Sequence, residues 1–166
     1  MTKDELKAKY CISDAMSVME RIKAAKTPKA LLEIKGMTLL ERMIKNCVDA
    51  GMEKFIVIVG YYKEKVYDLC PEIAEKYDIE IKIIENEKYD VTNTSVSTYL
   101  ASKFIEENDK EDFVLVNGDN VVDPEIISRL AKTKNTGMII DNFKQLNEES
   151  FKLIIANKTL NDEKTI

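Results

Sequence analysis

The chain has 166 residues, of which 45% are hydrophobic and 33% are charged, a composition typical of one globular domain in water. Its net charge of -5 gives no general attraction to nucleic acid or anionic membranes, and no apolar run approaches the roughly 20 residues that span a bilayer. The sequence contains no histidine, which excludes Ser-His-Asp and Cys-His nucleophilic mechanisms and most catalytic zinc sites. The chemistry available is therefore that of carboxylates, lysine or a bound metal.

The cysteines are few and far apart. Cys11, Cys47 and Cys70 form no C-x-x-C pair, so the sequence indicates neither a disulfide framework nor a zinc site. The first residues, M-T-K-D-E-L-K, are followed by no apolar signal-peptide segment. These features predict a cytoplasmic protein that is not inserted into a membrane.

The first 28 residues predict two helices and a short strand. Thr2 and Glu5 have the spacing of a capping box, so a short helix is expected at the N-terminus. Residues 10–12 (Y-C-I) are a candidate first strand. Apolar side chains recur at helical spacing in residues 13–26, which contain no glycine and predict a helix. Pro28 ends this helix, because proline disfavours helical geometry in the residue before it.

Residues 30–34 predict a short strand that ends at a Lys35-Gly36 turn. A second capping box begins at Thr38 and opens a helix whose apolar side chains follow the 3.6-residue period until Gly51. Residues 55–59 (F-I-V-I-V) then predict a buried strand, because the run is apolar, β-branched and aromatic.

The next segment alternates helix and strand again. Residues 63–77 predict a helix with a break near Pro71, and residues 79–84 (I-E-I-K-I-I) predict a strand. A polar loop, E-K-Y-D-V-T-N-T, leads into a helix expected at residues 95–105. Alternation of strands and helices at this spacing is typical of βαβ units and a parallel sheet.

Residues 112–123 read D-F-V-L-V-N-G-D-N-V-V-D and begin with an apolar run (113–116) typical of a central strand buried on both faces. After this run, Gly118 permits a tight turn, and Asp119 would lie at the carboxyl edge of the sheet, where open α/β folds bind ligands. A carboxylate there could hold a hard cation such as Mg²⁺ against a phosphate. Because Asn, Gly and Asp are also ordinary turn residues, a purely structural turn is the alternative interpretation.

The last part of the chain predicts three further elements. Asp123 and Pro124 have the residue types of the cap and first position of a helix. Residues 137–140 predict another strand, and residues 151–160 predict a terminal hairpin. The whole pattern indicates one domain over residues 1–166, with an α/β, Rossmann-like fold in which helices cover both faces of a mostly parallel sheet.

Five blocks of sequence resemble the sugar-phosphate nucleotidyltransferases, in the order in which that family carries them. The first is P-K-A-L-L-E-I-K-G-M-T-L-L-E-R-M-I (28–44), and the second is G-M-E-K-F-I-V-I-V-G (51–60). The block N-E-K-Y-D-V-T-N-T-S-V-S-T-Y-L-A (86–101) resembles the choline-phosphate cytidylyltransferase branch. The N-G-D block and E-E-S-F-K-L (148–153) complete the likeness, which covers most of the chain from Thr27 onward.

The resemblance implies the family's fold and reaction, in which a nucleotidyl group passes from an NTP to a phosphorylated acceptor and pyrophosphate is released. It favours CTP as the donor and a small acceptor such as phosphocholine or a sugar phosphate. Such transfer depends on positioning and charge neutralisation. Lys29 matches the lysine that the family places on the phosphates, and Asp119 matches its catalytic aspartate that binds Mg²⁺. A solvated surface lysine is the alternative for Lys29.

The resemblance also implies residues that contact the nucleotide or the acceptor. Asn93 and Ser97 match polar positions of the branch at the start of a helix, and Gly118 belongs to the N-G-D block. As alternatives, Asn93 is an ordinary helix cap and Ser97 an ordinary helix residue. Tyr89 is a candidate wall for a cationic head group, or a residue that only packs the loop.

The glycine-rich phosphate loop of the family is altered in this chain. Ala15 and Ser17 occupy positions where the resemblance places glycines that bind the nucleotide phosphates, and Met19 occupies the position of an arginine. A Cβ opposes tight turning and close approach to phosphate, and methionine carries no charge. Arg21 could reach the same site from the next helical turn.

The end of the chain departs from the family as well. After Leu160 the family continues with an acceptor-side segment that carries a second metal-binding carboxylate, so Asp123, Glu85 or Asp141 would have to replace it. Three interpretations follow: a working cytidylyltransferase-like enzyme, a catalytically silent binding or assembly module, or a fragment, separately made half or variant that another polypeptide completes. The expected protein partner is a complementing chain or, in a homo-oligomer, a second copy.

Overall fold

A computed structural model describes residues 27–108, 110–140 and 145 of this chain. The elements predicted for residues 1–26, and the hairpin predicted at residues 151–160, lie outside this part. So do the two loop residues Ala15 and Ser17, and Asp141. The described part contains a 3₁₀ turn at Lys29–Leu31 and eight further elements: β1 (Glu33–Ile34), β2 (Met37–Thr38), α1 (Leu39–Asp49), β3 (Lys54–Val59), α2 (Lys63–Tyr77), β4 (Glu80–Glu85), α3 (Thr94–Asn108) and α4 (Pro124–Ala131).

β1 and β2 form a small antiparallel hairpin around the predicted turn. Ile34 pairs with Met37, and the two residues between them, Lys35 and Gly36, have φ values of 55° and 74°. Positive φ at both central residues is what a tight two-residue hairpin turn requires, which confirms the predicted turn. The strand predicted for residues 30–34 is shorter than expected, because its first residues belong to the 3₁₀ turn.

α1 begins and ends close to where its sequence signals predict. Thr38 Oγ1 accepts a hydrogen bond from Glu41 N at 3.1 Å, so the threonine caps the helix. Gly51 follows the helix with φ of 94°, a conformation that glycine adopts without strain. One face of the helix is buried, at Leu39, Leu40, Met43, Ile44 and Cys47.

β3 and β4 are neighbouring parallel strands joined by α2, which confirms the predicted βαβ unit. Their register runs from Lys54 opposite Glu80 to Val59 opposite Glu85. One face of the pair packs against α1 and α2 through a core of Leu40, Ile44, Val59, Val66, Cys70 and Ile73. On the opposite face, Lys82 Nζ lies 5.6 Å from the centre of the Phe104 ring in α3. Helices therefore cover both faces, as the α/β prediction requires.

α2 corrects the prediction of a break near Pro71. The helix runs without interruption from Lys63 to Tyr77. Proline removes one backbone donor, but Pro71 is exposed, so water can satisfy the carbonyl that loses its partner. Cys70 and Ile73, which flank the proline, are buried at 2% and 1% exposure. Their burial in the core outweighs the local cost of the proline.

Residues 113–116 and 137–140 are not strands, which corrects two predictions. In the first segment only alternate residues are partly buried: Val116 packs against the cluster of Met43, Cys47 and Ile127, whereas Phe113 and Leu115 are 50% and 56% exposed. An apolar run predicts burial on both faces, but this segment meets the core with one side only. Residues 137–140 are exposed throughout.

α4 confirms its predicted start. Asp123 Oδ1 accepts a hydrogen bond from Glu125 N at 2.9 Å, and Pro124 is the first helical residue. The helix packs on α1 through Ile127, and Asn46 Nδ2 of α1 donates to the Val122 carbonyl at 2.8 Å. Within the described ranges, no helix has the length and apolarity needed to cross a bilayer.

Candidate functional site

The carboxyl ends of β3 and β4 lie side by side and form the edge at which we look for a ligand site. We call this the carboxyl edge; it comprises residues 59–63 after β3 and residues 85–86 after β4. Asn86 N donates to the Val59 carbonyl at 2.8 Å and extends the pairing of the strands by one residue. Open parallel sheets bind ligands outside this end of their strands.

The 3₁₀ turn that carries Lys29 lies next to the carboxyl edge. Thr27 Oγ1 accepts a hydrogen bond of 2.7 Å from Lys65 Nζ, in the first turn of the helix that follows β3. Ala30 packs against the core cluster that contains Val59, the last residue of β3. Lys29 itself is exposed. The ammonium group of Lys29 is therefore on an exposed side chain of the turn beside the carboxyl edge.

The Gly118-Asp119 turn packs against the same 3₁₀ turn. A Cβ added at Gly118 would lie 3.7 Å from Ala30 Cβ and 3.7 Å from Leu40 Cδ1. Asn120 N donates to the Asn117 carbonyl at 3.1 Å, which closes the predicted turn, and Asp119 is exposed. The fold thus brings the segments that carry Lys29 and Asp119 together.

The turn does not need glycine for steric reasons, which corrects the sequence argument at this position. Among the described glycines, positive φ occurs at Gly36 and Gly51 and not at Gly118. The neighbours of an added Cβ at Gly118 would also stand at ordinary van der Waals distance.

Asn86 is the buried polar centre of the loop that follows β4. It is 4% exposed, and its Nδ2 donates to Thr92 Oγ1 at 3.0 Å and to Ser97 Oγ at 3.2 Å. Its Oδ1 accepts from Lys88 N at 3.1 Å. Ser97, one of the predicted contact residues, is therefore bound by a protein side chain in this structure.

Asn93 occupies the start of α3 and acts as its cap. Its Oδ1 accepts from Ser95 N at 3.1 Å and from Ser95 Oγ, and its carbonyl accepts from Val96 N at 3.1 Å. The residue is exposed, in the loop at the carboxyl edge. The capping role is one of the two that the sequence left open.

Three tyrosines gather at the carboxyl edge. Tyr61 and Tyr62 have ring centres 4.4 Å apart, and Tyr61 and Tyr89 have ring centres 6.5 Å apart. Tyr89 occupies the space that Gly60 leaves open, because a Cβ at Gly60 would lie 2.5 Å from both Cβ and Cγ of Tyr89. Tyr61 and Tyr89 are each 47% exposed, so their rings remain accessible.

An ion pair joins the two strand ends. Lys63 Nζ bonds to Glu85 Oε1, and both side chains are about one-third exposed. The hydrogen bond to Glu85 raises the pKa of Lys63 above its usual range. Glu85 is thus engaged by a cation, and Asp123 is engaged by the helix it caps. In the described residues, no three Asp, Glu or Cys side chains form a group that could hold a metal ion.

Sequence reasoning placed Gly60 at a carboxyl edge and named Glu85 as a candidate carboxylate, but it missed the contact of Gly60 with Tyr89, the hydrogen bonds of Asn86 and the Lys63–Glu85 pair. For Gly60 and Asn86 a signal existed, since Gly60 directly follows the strand predicted at 55–59 and Asn86 is the second residue after the strand predicted at 79–84. The ion pair had none, because its partners are 22 residues apart and its geometry depends on the strand register.

Comparison with known proteins identifies a domain family and several similar proteins. Residues 32–159 match a family model described as a domain of unknown function, DUF6564. The chain is 30% identical over 114 residues to the "Bifunctional IPC transferase and DIPP synthase" of Rubrobacter xylanophilus, a match that covers 68% of this chain and 24% of that protein. No solved structure matches the chain significantly.

Two cytidylyltransferases are also similar. The 2-aminoethylphosphonate cytidylyltransferase of Lancefieldella rimae is 35% identical over 81 residues, which are 49% of this chain and 31% of that protein. The choline-phosphate cytidylyltransferase of Streptococcus pneumoniae is 35% identical over 77 residues, or 46% of this chain and 31% of that protein. The chain therefore spans about a quarter to a third of the length of these relatives. The chain belongs to the DUF6564 domain family, and its similarity to these named transferases supports a relation to the nucleotidyltransferases.

Proposed function

We propose that this chain carries the nucleotide-binding part of a nucleotidyltransferase that uses CTP and a small phosphorylated acceptor, such as phosphocholine or a sugar phosphate, and releases pyrophosphate. The observation that carries the proposal is the proximity of the Gly118 turn to the 3₁₀ turn, where a Cβ added at Gly118 would lie 3.7 Å from Ala30 Cβ. This proximity brings a lysine and an aspartate, 90 positions apart in the sequence, onto neighbouring turns at the end of the sheet where ligands bind. The named cytidylyltransferase relatives support the same reaction class.

The two side chains would share the task of neutralising charge. Lys29 would bind the triphosphate, because an exposed ammonium on a flexible side chain can donate charge-assisted hydrogen bonds to phosphate oxygens. Asp119 would hold Mg²⁺. Magnesium commonly binds one or two carboxylates together with substrate phosphates, so a single exposed aspartate fits a metal that arrives with its nucleotide. When bound, Mg²⁺ would supply the positive charge that transfer at the α-phosphorus needs.

The acceptor would lie against the loop that follows β4. Tyr89 and Tyr61 are about half exposed there, and the face of a tyrosine ring attracts a cation such as the quaternary ammonium of phosphocholine. Asn93 caps α3 at the end of the same loop and is exposed, so its side chain would be a polar contact for the acceptor. A sugar phosphate would use the polar atoms more than the rings.

Thermal unfolding with nucleotides tests the proposal. CTP with Mg²⁺ at 100 times the dissociation constant should add about 2.7 kcal/mol to the free energy of unfolding, which is a rise of roughly 5–11 °C in Tm for a domain of this size. Mg²⁺ alone should give no rise, because the metal is expected to bind through the nucleotide. Asp119→Asn and Lys29→Met should each abolish most of the rise.

Matched controls lie on helices away from the edge. Asp68→Asn in α2 and Lys103→Met in α3 change the same charges at exposed positions and should retain the full rise. If none of ATP, CTP, GTP and UTP stabilises the wild type, the proposed function is wrong. If CTP binds but no pyrophosphate is released with phosphocholine or glucose 1-phosphate, the chain is a nucleotide-binding module. In that case the chain either has no catalytic activity or needs another polypeptide, or a second copy of itself, to transfer the nucleotidyl group.

A further inference from the structure

Asn86 makes more hydrogen bonds, through its side chain and backbone, than any other residue described at the carboxyl edge. Three of its hydrogen-bonding atoms reach three different places: the backbone N–H bonds the end of β3, Oδ1 bonds the start of the following loop, and Nδ2 bonds both Thr92 and Ser97. Thr92 Oγ1 in turn donates to the Lys88 carbonyl at 2.6 Å, which closes the loop on itself. One buried amide therefore joins a strand end, a loop and a helix.

The position of Tyr89 follows from these bonds. Tyr89 N donates to the Asn86 carbonyl at 3.2 Å, and the Tyr89 side chain lies in the space above Gly60. Residues 87–91 are exposed, and Lys88 N in this segment donates to Asn86 Oδ1. The hydrogen bonds of Asn86 thus hold the loop that carries Tyr89, while the Tyr89 ring itself packs beside Gly60 and Tyr61.

Asn86 itself is not placed to meet a substrate. Both amide atoms are satisfied by protein groups, and the side chain is buried. A buried amide is costly unless its bonds are made, so its bonds fix the loop in one arrangement. Any effect of Asn86 on a ligand would therefore pass through the loop.

We propose that Asn86 is a positioning residue of the substrate site: it holds the 87–92 loop and the first turn of α3 so that Tyr89 faces the ligand beside Gly60. This inference rests on the proposed function. It adds a residue whose side chain contacts no substrate and yet sets how tightly substrate binds. Misplacing a contact by about 1 Å can cost up to a hundredfold in rate, so the effect should be large.

The test compares Asn86→Ala with Asn46→Ala. Asn46 also uses its amide to join two segments, through its bond to the Val122 carbonyl, but it lies on α1 away from this loop. Both variants should lose stability. Only Asn86→Ala should raise the KM for phosphocholine or for CTP, by about tenfold to a hundredfold, measured by pyrophosphate release at a temperature where both variants are folded.

A double variant identifies the route of the effect. If Asn86 acts through Tyr89, the KM of Asn86→Ala/Tyr89→Ala should equal that of Tyr89→Ala. Should Asn86→Ala fail to fold, Thr92→Val removes one acceptor of the amide, leaves Asn86 in place, and is expected to raise KM in the same direction.

The outcomes separate the two proposals. A wild type that neither binds nucleotide nor releases pyrophosphate overturns the proposed function, and the positioning role with it. An active wild type whose KM is equal in Asn86→Ala and Asn46→Ala overturns the positioning role alone. Equal KM in Thr92→Val and the wild type would do the same where that variant carries the test.

Discussion

Gly60→Ala should damage the carboxyl edge more than any other single added methyl group among the described glycines. The new Cβ would lie 2.5 Å from Tyr89 Cβ and Cγ, whereas an ordinary contact is 3.4–4 Å. The tyrosine must therefore move by about 1 Å, and such overpacking typically costs 1–3 kcal/mol. Tyr89 is half-exposed and belongs to a loop, so partial relaxation favours the lower part of this range, about 1–2 kcal/mol.

The assay is thermal unfolding followed by circular dichroism. A loss of about 1–2 kcal/mol corresponds to a fall of roughly 2–8 °C in Tm for a domain of this length. Gly118→Ala is the matched control, because its Cβ would meet Ala30 and Leu40 at 3.7 Å. The control should stay within about 0.5 kcal/mol of the wild type.

A suppressor variant makes the reasoning refutable. Tyr89→Gly removes the atoms that the new methyl group would meet, so the penalty of Gly60→Ala should shrink by about 1 kcal/mol in that background. If Gly60→Ala unfolds at the wild-type temperature, or if Tyr89→Gly leaves its penalty unchanged, the close contact between Gly60 and Tyr89 does not constrain the loop.

Two further predictions concern buried ionisable groups. Glu41→Gln should lower the free energy of unfolding by about 1 kcal/mol in urea titrations, because the buried carboxylate accepts bonds from Lys76 Nζ at 2.7 Å and Tyr77 OH at 3.0 Å, although exposure of the lysine weakens the pair. An unchanged urea midpoint would contradict it. Burial raises the pKa of both the Cys47 and Cys70 thiols from 9.0 to about 11, so the folded state holds these protons longer than the unfolded chain. The stability that the protonated thiols contribute is complete below pH 9 and is lost as the pH rises towards 11. Replacing both cysteines with alanine should therefore reduce the fall in the free energy of unfolding between pH 9 and pH 11. An equal fall in the variant and the wild type would refute this prediction.

Local signals carried most of the correct fold predictions. The cap at Thr38 and the glycine after α1 are readable because each acts within a few residues of its own position. The strands β3 and β4 were equally accessible, since their apolar runs pack in a parallel pair with a helix between them. In these segments tertiary contacts reinforce what the neighbouring residues already favour.

The predicted strand at residues 113–116 shows where such signals stop. An apolar run reports that side chains avoid water but not which surface covers them. Here Val116 packs against the core between α1 and α4, whereas Phe113 and Leu115 are exposed. A strand also needs a hydrogen-bonding neighbour, and residue order along the chain does not supply one.

Only part of the candidate site was predictable from the sequence, because the contacts within it form when distant segments pack together. The resemblance marked Lys29 and Asp119 as members of one site, but the contact between their turns depends on how residues 28–31 pack against α1. Asn86 and Gly60 act through partners that become neighbours only after β3 and β4 pair. Their roles are properties of the fold rather than of a motif.

Gly60 and Gly118 lie near the same edge and differ in what the protein demands of them. The protein itself fills the space beside Gly60 with Tyr89, so a change there acts first on folding. Beside Gly118 the protein leaves room for a methyl group, so a change there should leave folding nearly intact. A loss of CTP affinity in Gly118→Ala at wild-type stability would therefore have to come from the ligand side of the turn, where a phosphate approaches the backbone.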